Sequence, residues 1–175
     1  VESFESMLTG GHPNSLGRTV EVVEIVLADT SQFEQLYQCY FSEDEVVRLR
    51  TSNAMKRLWR AQADIITPHI DRFLNEISQI NQASTWWTLA QLFGELDSSL
   101  TVAQRKQAIQ ILKVNLDKTN DWIVINNTLE TLGKWASTDD DLAKWLKPYI
   151  EKFSQESRKS IARRATKLSQ KLYAD

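Results

Sequence analysis

Four stretches of this sequence lie over one another almost without adjustment, and that self-similarity constrains the fold more than any other feature. They are Arg48–Leu58, Trp86–Leu96, Trp122–Leu132 and Arg158–Leu168, and their closing leucines stand 38, 36 and 36 residues apart. A near-constant period of this length leaves room for two helices in each unit. One helical hairpin cannot bury its apolar face alone, so neighbours stack and share a continuous core. The repeat therefore predicts an all-α fold: a right-handed α-solenoid of about four helical hairpins over residues 31–175. An acidic N-terminal helical cap with a glycine-rich turn, residues 1–30, precedes it within a single domain.

Local signals agree with that period. Ser42-Glu-Asp-Glu45 and Thr101-Val-Ala-Gln104 read as capping boxes, with a hydroxyl for the free amides and an acceptor three residues on. Thr67-Pro68 puts a capping residue before proline at a helix start, and Ser84, Asp121 and Ser157 stand ahead of apolar-periodic runs. The spacing predicts first helices over 32–41, 68–80, 102–116 and 140–153, with Pro148 kinking the last or starting a shorter one. At about 100° per residue, Ile161, Ala165, Leu168 and Leu172 share one stripe, and Ile125, Thr128, Leu129, Leu132 and Trp135 form its counterpart one repeat earlier. No period-two alternation competes with helix.

The pattern Asp44-Glu-Val-Val-Arg48, followed by Asn53-Ala54 and Leu58, resembles a HEAT repeat of the HEAT/armadillo-like class. In that family an Asp in the turn within the repeat and an Arg early in the second helix often bridge within or between repeats. Asp44 and Arg48 match the pair, and Arg158 matches the Arg. Trp86 and Trp122 replace it in the middle repeats. The resemblance covers residues 30–173 and implies architecture rather than activity, because such folds host many unrelated roles.

Little in the chain points to catalysis. The two histidines, His12 and His69, support no triad and no metal-ligand spacing, and the lone Cys39 lies in an apolar run as a small buried thiol. No cofactor or metal is expected. Asp139-Asp140-Asp141 stands at a helix start, where acids meet the dipole favourably. The segment Thr9–Thr19 holds three glycines and a proline ahead of a helix. One reading is an anion cradle helped by His12 and Arg18. The other is an ordered turn that folds the acidic cap onto the first repeat.

The charge is polarised. Residues 1–45 carry nine acids against Arg18, whereas 157–173 carry six bases and no acid, and a second basic stretch, Arg48–Arg60, holds five. This suits an acidic or nucleic-acid partner, or simply a solvated helix face. Two rows cross the repeats at the start of the second helices. Leu49, Trp87, Ile123 and Lys159 form one, and Arg48, Trp86, Trp122 and Arg158 run beside it. An outward apolar row of this kind marks a contact surface. The competing reading packs these first-turn residues beneath neighbouring loops.

The expected function is a non-catalytic scaffold binding a protein or peptide along the face formed by the second helices. Nucleic-acid binding through basic and Trp residues is a second expectation. Bacterial alkylpurine DNA glycosylases share a HEAT-like solenoid, but Thr88-Leu-Ala-Gln91 supplies no catalytic carboxylate beside Trp86-Trp87. An accessory, lyase-like subunit acting on a partner protein is the third. No membrane span is expected, and the residues read as those of a cytoplasmic protein.

Overall fold

The computed structural model describes residues 1–174, and among them it is helical with no strand. The helices are α1 (Phe4–Leu8), α2 (Thr19–Ala28), α3 (Phe33–Gln38), α4 (Glu45–Ala61), α5 (Ile70–Asn75), α6 (Ala83–Glu95), α7 (Val102–Lys118), α8 (Trp122–Ala136), α9 (Asp140–Ser154) and α10 (Lys159–Tyr173). Short 3-10 turns join several of them. The residues form two compact units, Val1–Thr88 and Leu89 onward, with the division inside α6.

The first unit is organised around α4, whose Val47, Ala54, Met55 and Leu58 are buried at the i, i+3, i+4 spacing of a core-facing helix. Helices α1 and α2 pack on it. Tyr37, Tyr40 and Phe73 meet edge to face, and the Tyr40 hydroxyl is satisfied at 2.9 Å by Ser52. Burial pushes the Cys39 thiol up to about 11, so it stays protonated and behaves as a small apolar filler.

Arg50 occupies a core position of α4, one turn from Val47 and Ala54, and is only 1% exposed. A buried guanidinium without a carboxylate is costly unless its donors are met. Here backbone carbonyls meet them. Arg50 donates to Leu8 O at 2.7 Å, Gly10 O at 2.6 Å, His12 O at 3.2 Å and Ser15 O at 3.1 Å. The glycine-rich segment is thus wound around a side chain of the chain itself. Gly17 shows why glycine is required: its φ is +52°, and a Cβ there would come within 2.9 Å of the guanidinium.

In the second unit, α7 and α9 make one layer, while α8, α10 and the C-terminal part of α6 make the other. Tyr149 donates to Asp117 at 2.7 Å and Lys113 lies 4.8 Å over the Trp145 ring, tying α9 to α7. Thr131 donates to Ala90 O, Lys134 to Gly94 O and Gln91 to Asn127, tying α8 to α6. Asn126 donates to Ser160 and accepts from Arg164, tying α8 to α10. These links join residues 34 to 41 apart in the chain. The stripe on α8 is buried throughout, and on α10 Ile161 and Ala165 are buried while Leu168 and Leu172 are half-covered.

Three local expectations are corrected. The N-cap of α4 is Asp44, which accepts from Val46 N, and Ser42 accepts from Asp44 N instead of capping the helix. Thr67-Pro68 opens a 3-10 turn, and the helix expected over 68–80 shrinks to α5 flanked by 3-10 turns at Thr67–His69 and Ile77–Gln79. Pro148 sits inside a continuous α9. Pro148 and Lys144, whose carbonyl loses its partner, both face solvent, so water can take the place of the missing amide. The capping box at Thr101 and the Asp121 cap form as expected.

Two substitutions test this packing by urea unfolding. Arg50→Ala leaves four carbonyls without their donor and is expected to cost about 3–5 kcal/mol, and Arg50→Lys should fail to restore it because one ammonium cannot span them. Leu132→Ala, fully buried in α8, is expected to cost about 2–5 kcal/mol.

Candidate functional site

The two sequence rows have divided fates. Trp86 is half-buried and its indole donates to Ile80 O at 3.1 Å; Trp87 and Leu49 are half-buried too. Arg48 donates to Ser42 O and to Gln82 Oε1, both at 2.6 Å, and Gln82 returns a bond to Glu45 O. Arg158 reaches back to Asn120, donating to its backbone oxygen at 2.6 Å and to its side chain at 3.0 Å, while Glu156 accepts at 3.0 Å. Arg48 and Arg158 thus tie the starts of α4 and α10 to groups of the preceding or following segments. Of the outward row Leu49, Trp87, Ile123 and Lys159, the first three are half-buried and Lys159 is exposed, and in the row beside it Trp86 is tied to Ile80 O.

The Thr9–Thr19 segment presents carbonyls inward, and they hold a cation, Arg50, where an anion cradle would need inward amides. Arg18 is exposed and engaged by Glu2 at 2.7 Å and Glu21 at 2.8 Å, and its guanidinium holds the Glu21 carboxyl below the usual range. His12 is exposed, with Nδ1 accepting from Asn14 N. His12 and Arg18 are thus not brought together on an anion. The segment is the ordered turn that closes the cap.

Trp122 behaves differently from the other tryptophans. It is the first residue of α8, fixed there by Asp121, whose carboxylate accepts from Ile123 N at 2.8 Å and Val124 N at 3.1 Å. It is 53% exposed. With half-buried Ile123 it borders an open groove of about 480 Å³ between α8 and α10. The floor is a polar ladder: Asn126 spans to Ser160 and Arg164, and Asn127 bonds Ile123 O and Gln91. The α10 wall carries Arg163, Arg164 and Lys167. Arg164 is paired with Asn126 and with Glu130 at 3.5 Å, whereas Arg163 and Lys167 have no carboxylate partner among the described residues.

Lys159, Arg163, Lys167 and Lys171 follow one another at i, i+4, so they form one cationic line along α10. The sequence showed these charges but not that Trp122 faces them, because that juxtaposition depends on how α8 and α10 pack. Chemically, the groove offers an indole face and exposed cations with a hydrogen-bonded floor. It has no nucleophile–base pair.

Elsewhere, Asp139 accepts from Leu142 N and caps α9, as a helix-start acid should. Among the described residues no group of three or more His, Cys, Asp or Glu is placed to hold a metal, and no helix is long and apolar enough to cross a membrane. No protein-family model, curated protein or solved structure matches the chain.

The two kinds of tryptophan should separate by stability. Trp122→Ala is expected to leave unfolding free energy within about 0.5 kcal/mol of the parent, as an exposed substitution. Trp86→Ala, which loses burial and the bond to Ile80 O, should cost more than about 1 kcal/mol. Urea unfolding of both variants checks the contrast.

Proposed function

We propose that the chain is a HEAT-like helical-repeat protein acting as a non-catalytic interaction scaffold, which receives a partner protein on the face of its second helices. Support for the repeat reading comes from hydrogen bonds between second helices at the repeat spacing. It also comes from Arg48 and Arg158, which bridge to residues 34 and 38 positions away, as the HEAT-type arginine does. Neither contact defines a partner. The observation that carries the function is the pairing of an exposed indole, Trp122, with cations that have no carboxylate partner among the described residues. Exposed tryptophan and arginine are the residue types on which interface energy concentrates.

A partner captured from native extract by the tagged full chain should be lost with Trp122→Ala, while circular dichroism and thermal unfolding stay unchanged. A partner retained equally by that variant would move the working face elsewhere.

A further inference from the structure

Resting on the scaffold reading, we infer that the α8–α10 groove selects an extended acidic segment of a partner protein, one that carries a bulky apolar side chain beside alternating carboxylates. Charge complementarity commits the groove to this occupant. Residues 157–173 contain no acid, and the structure neutralises Arg158 and Arg164 with its own groups while leaving Arg163 and Lys167 unpaired among the described residues.

Spacing supports an extended chain. Arg163 and Lys167 are one turn apart, about 6 Å along α10. Alternate side chains of an extended strand repeat at about 6.6 Å on one face. Two carboxylates at positions i and i+2 of an incoming segment therefore meet both cations at once, where a helical segment would have to offer them at i and i+4. The intervening side chain points the other way.

The apolar anchor has its own place. Asn126 contacts both Ser160 and Arg164, so Trp122, one turn earlier on α8, lies beside the start of α10 at one end of the groove. An aromatic or aliphatic side chain set against Trp122 and Ile123 fixes the segment lengthwise. Charged contacts at the rim raise the encounter rate and choose the partner, while the anchored side chain holds it.

A protein segment fits better than a nucleic acid. Glu130, 65% exposed on its side chain, pairs with Arg164 of the groove, and Asp121 immediately precedes Trp122, so acids stand close to the cationic line. The chain as a whole carries a net charge of −2, which opposes a long polyanion. One indole gives one stacking platform, whereas single-strand binders use several in succession.

The test uses the full chain and a fluorescein-labelled Phe-Ser-Glu-Ser-Glu peptide, whose Phe and two Glu share one face of an extended strand, with Gln-for-Glu and Ala-for-Phe counterparts and a labelled single-stranded oligonucleotide. Fluorescence anisotropy should show saturable binding of the acidic peptide that weakens with added salt. The Gln peptide, and the variant Arg163→Ala/Lys167→Ala, should each bind about tenfold more weakly or worse. Trp122→Ala should weaken the Phe-bearing peptide and leave the affinity of its Ala-for-Phe counterpart unchanged.

Equal affinity for the Glu and Gln peptides would overturn the inference, as would an oligonucleotide that binds more tightly than the acidic peptide. All three replaced side chains are largely exposed, and an unchanged melting curve confirms that each variant is folded. Should the acidic peptide fail while Trp122→Ala still abolishes capture of the native partner, the scaffold reading stands and the acidic segment falls.

Discussion

Helix α8 is packed without slack, and the second unit depends on that. A Cβ at Gly133 would lie 2.5 Å from Leu168, and a Cβ at Gly94 of α6 would lie 2.5 Å from Thr131. Such approach lets a short hydroxyl reach from Thr131 to Ala90 O and lets Asn126 hold two residues of α10. Close helix contact and polar lacing are therefore one arrangement. It fixes the distance between α8 and α10, and with it the width of the groove that Trp122 borders.

The first unit solves a different problem with the same economy of groups. Its N-terminal segment has little regular structure to satisfy its carbonyls, and α4 places a cation in its core. Each cancels the cost of the other. An arginine suits this role because its five donors are fixed in a planar fork that several acceptors can surround. The four carbonyls come from residues 8 to 15, so one side chain orders a whole connection.

The helical content and the starts of α7 and α8 were legible because they rest on periodicity and capping. Leu58, Leu96 and Leu132 are buried, and Asp121 and Thr101 cap the helices they precede. Where the reading failed, the decisive interaction was non-local. Arg50 counted as one of a basic stretch, although its spacing from Val47 and Ala54 put it on the core stripe. That coincidence with a triple-glycine segment was the available signal. Trp86 looked equivalent to Trp122, yet its indole is bonded to Ile80 O and half-buried, whereas Trp122 is exposed. Of the groove itself, Trp122 and Ile123 were readable from α8, but Arg163 and Lys167 were visible only as charge.

The six tryptophans provide separate indole N–H reporters for the claim that the α8–α10 groove is the working face. In a ¹⁵N-labelled full chain titrated with its captured partner, the Trp122 indole resonance should shift or broaden together with backbone amides of α10. The buried Trp59 and Trp135 indoles should stay in place. A titration that moves the Trp145 or Trp86 indole and leaves Trp122 and α10 untouched would contradict it.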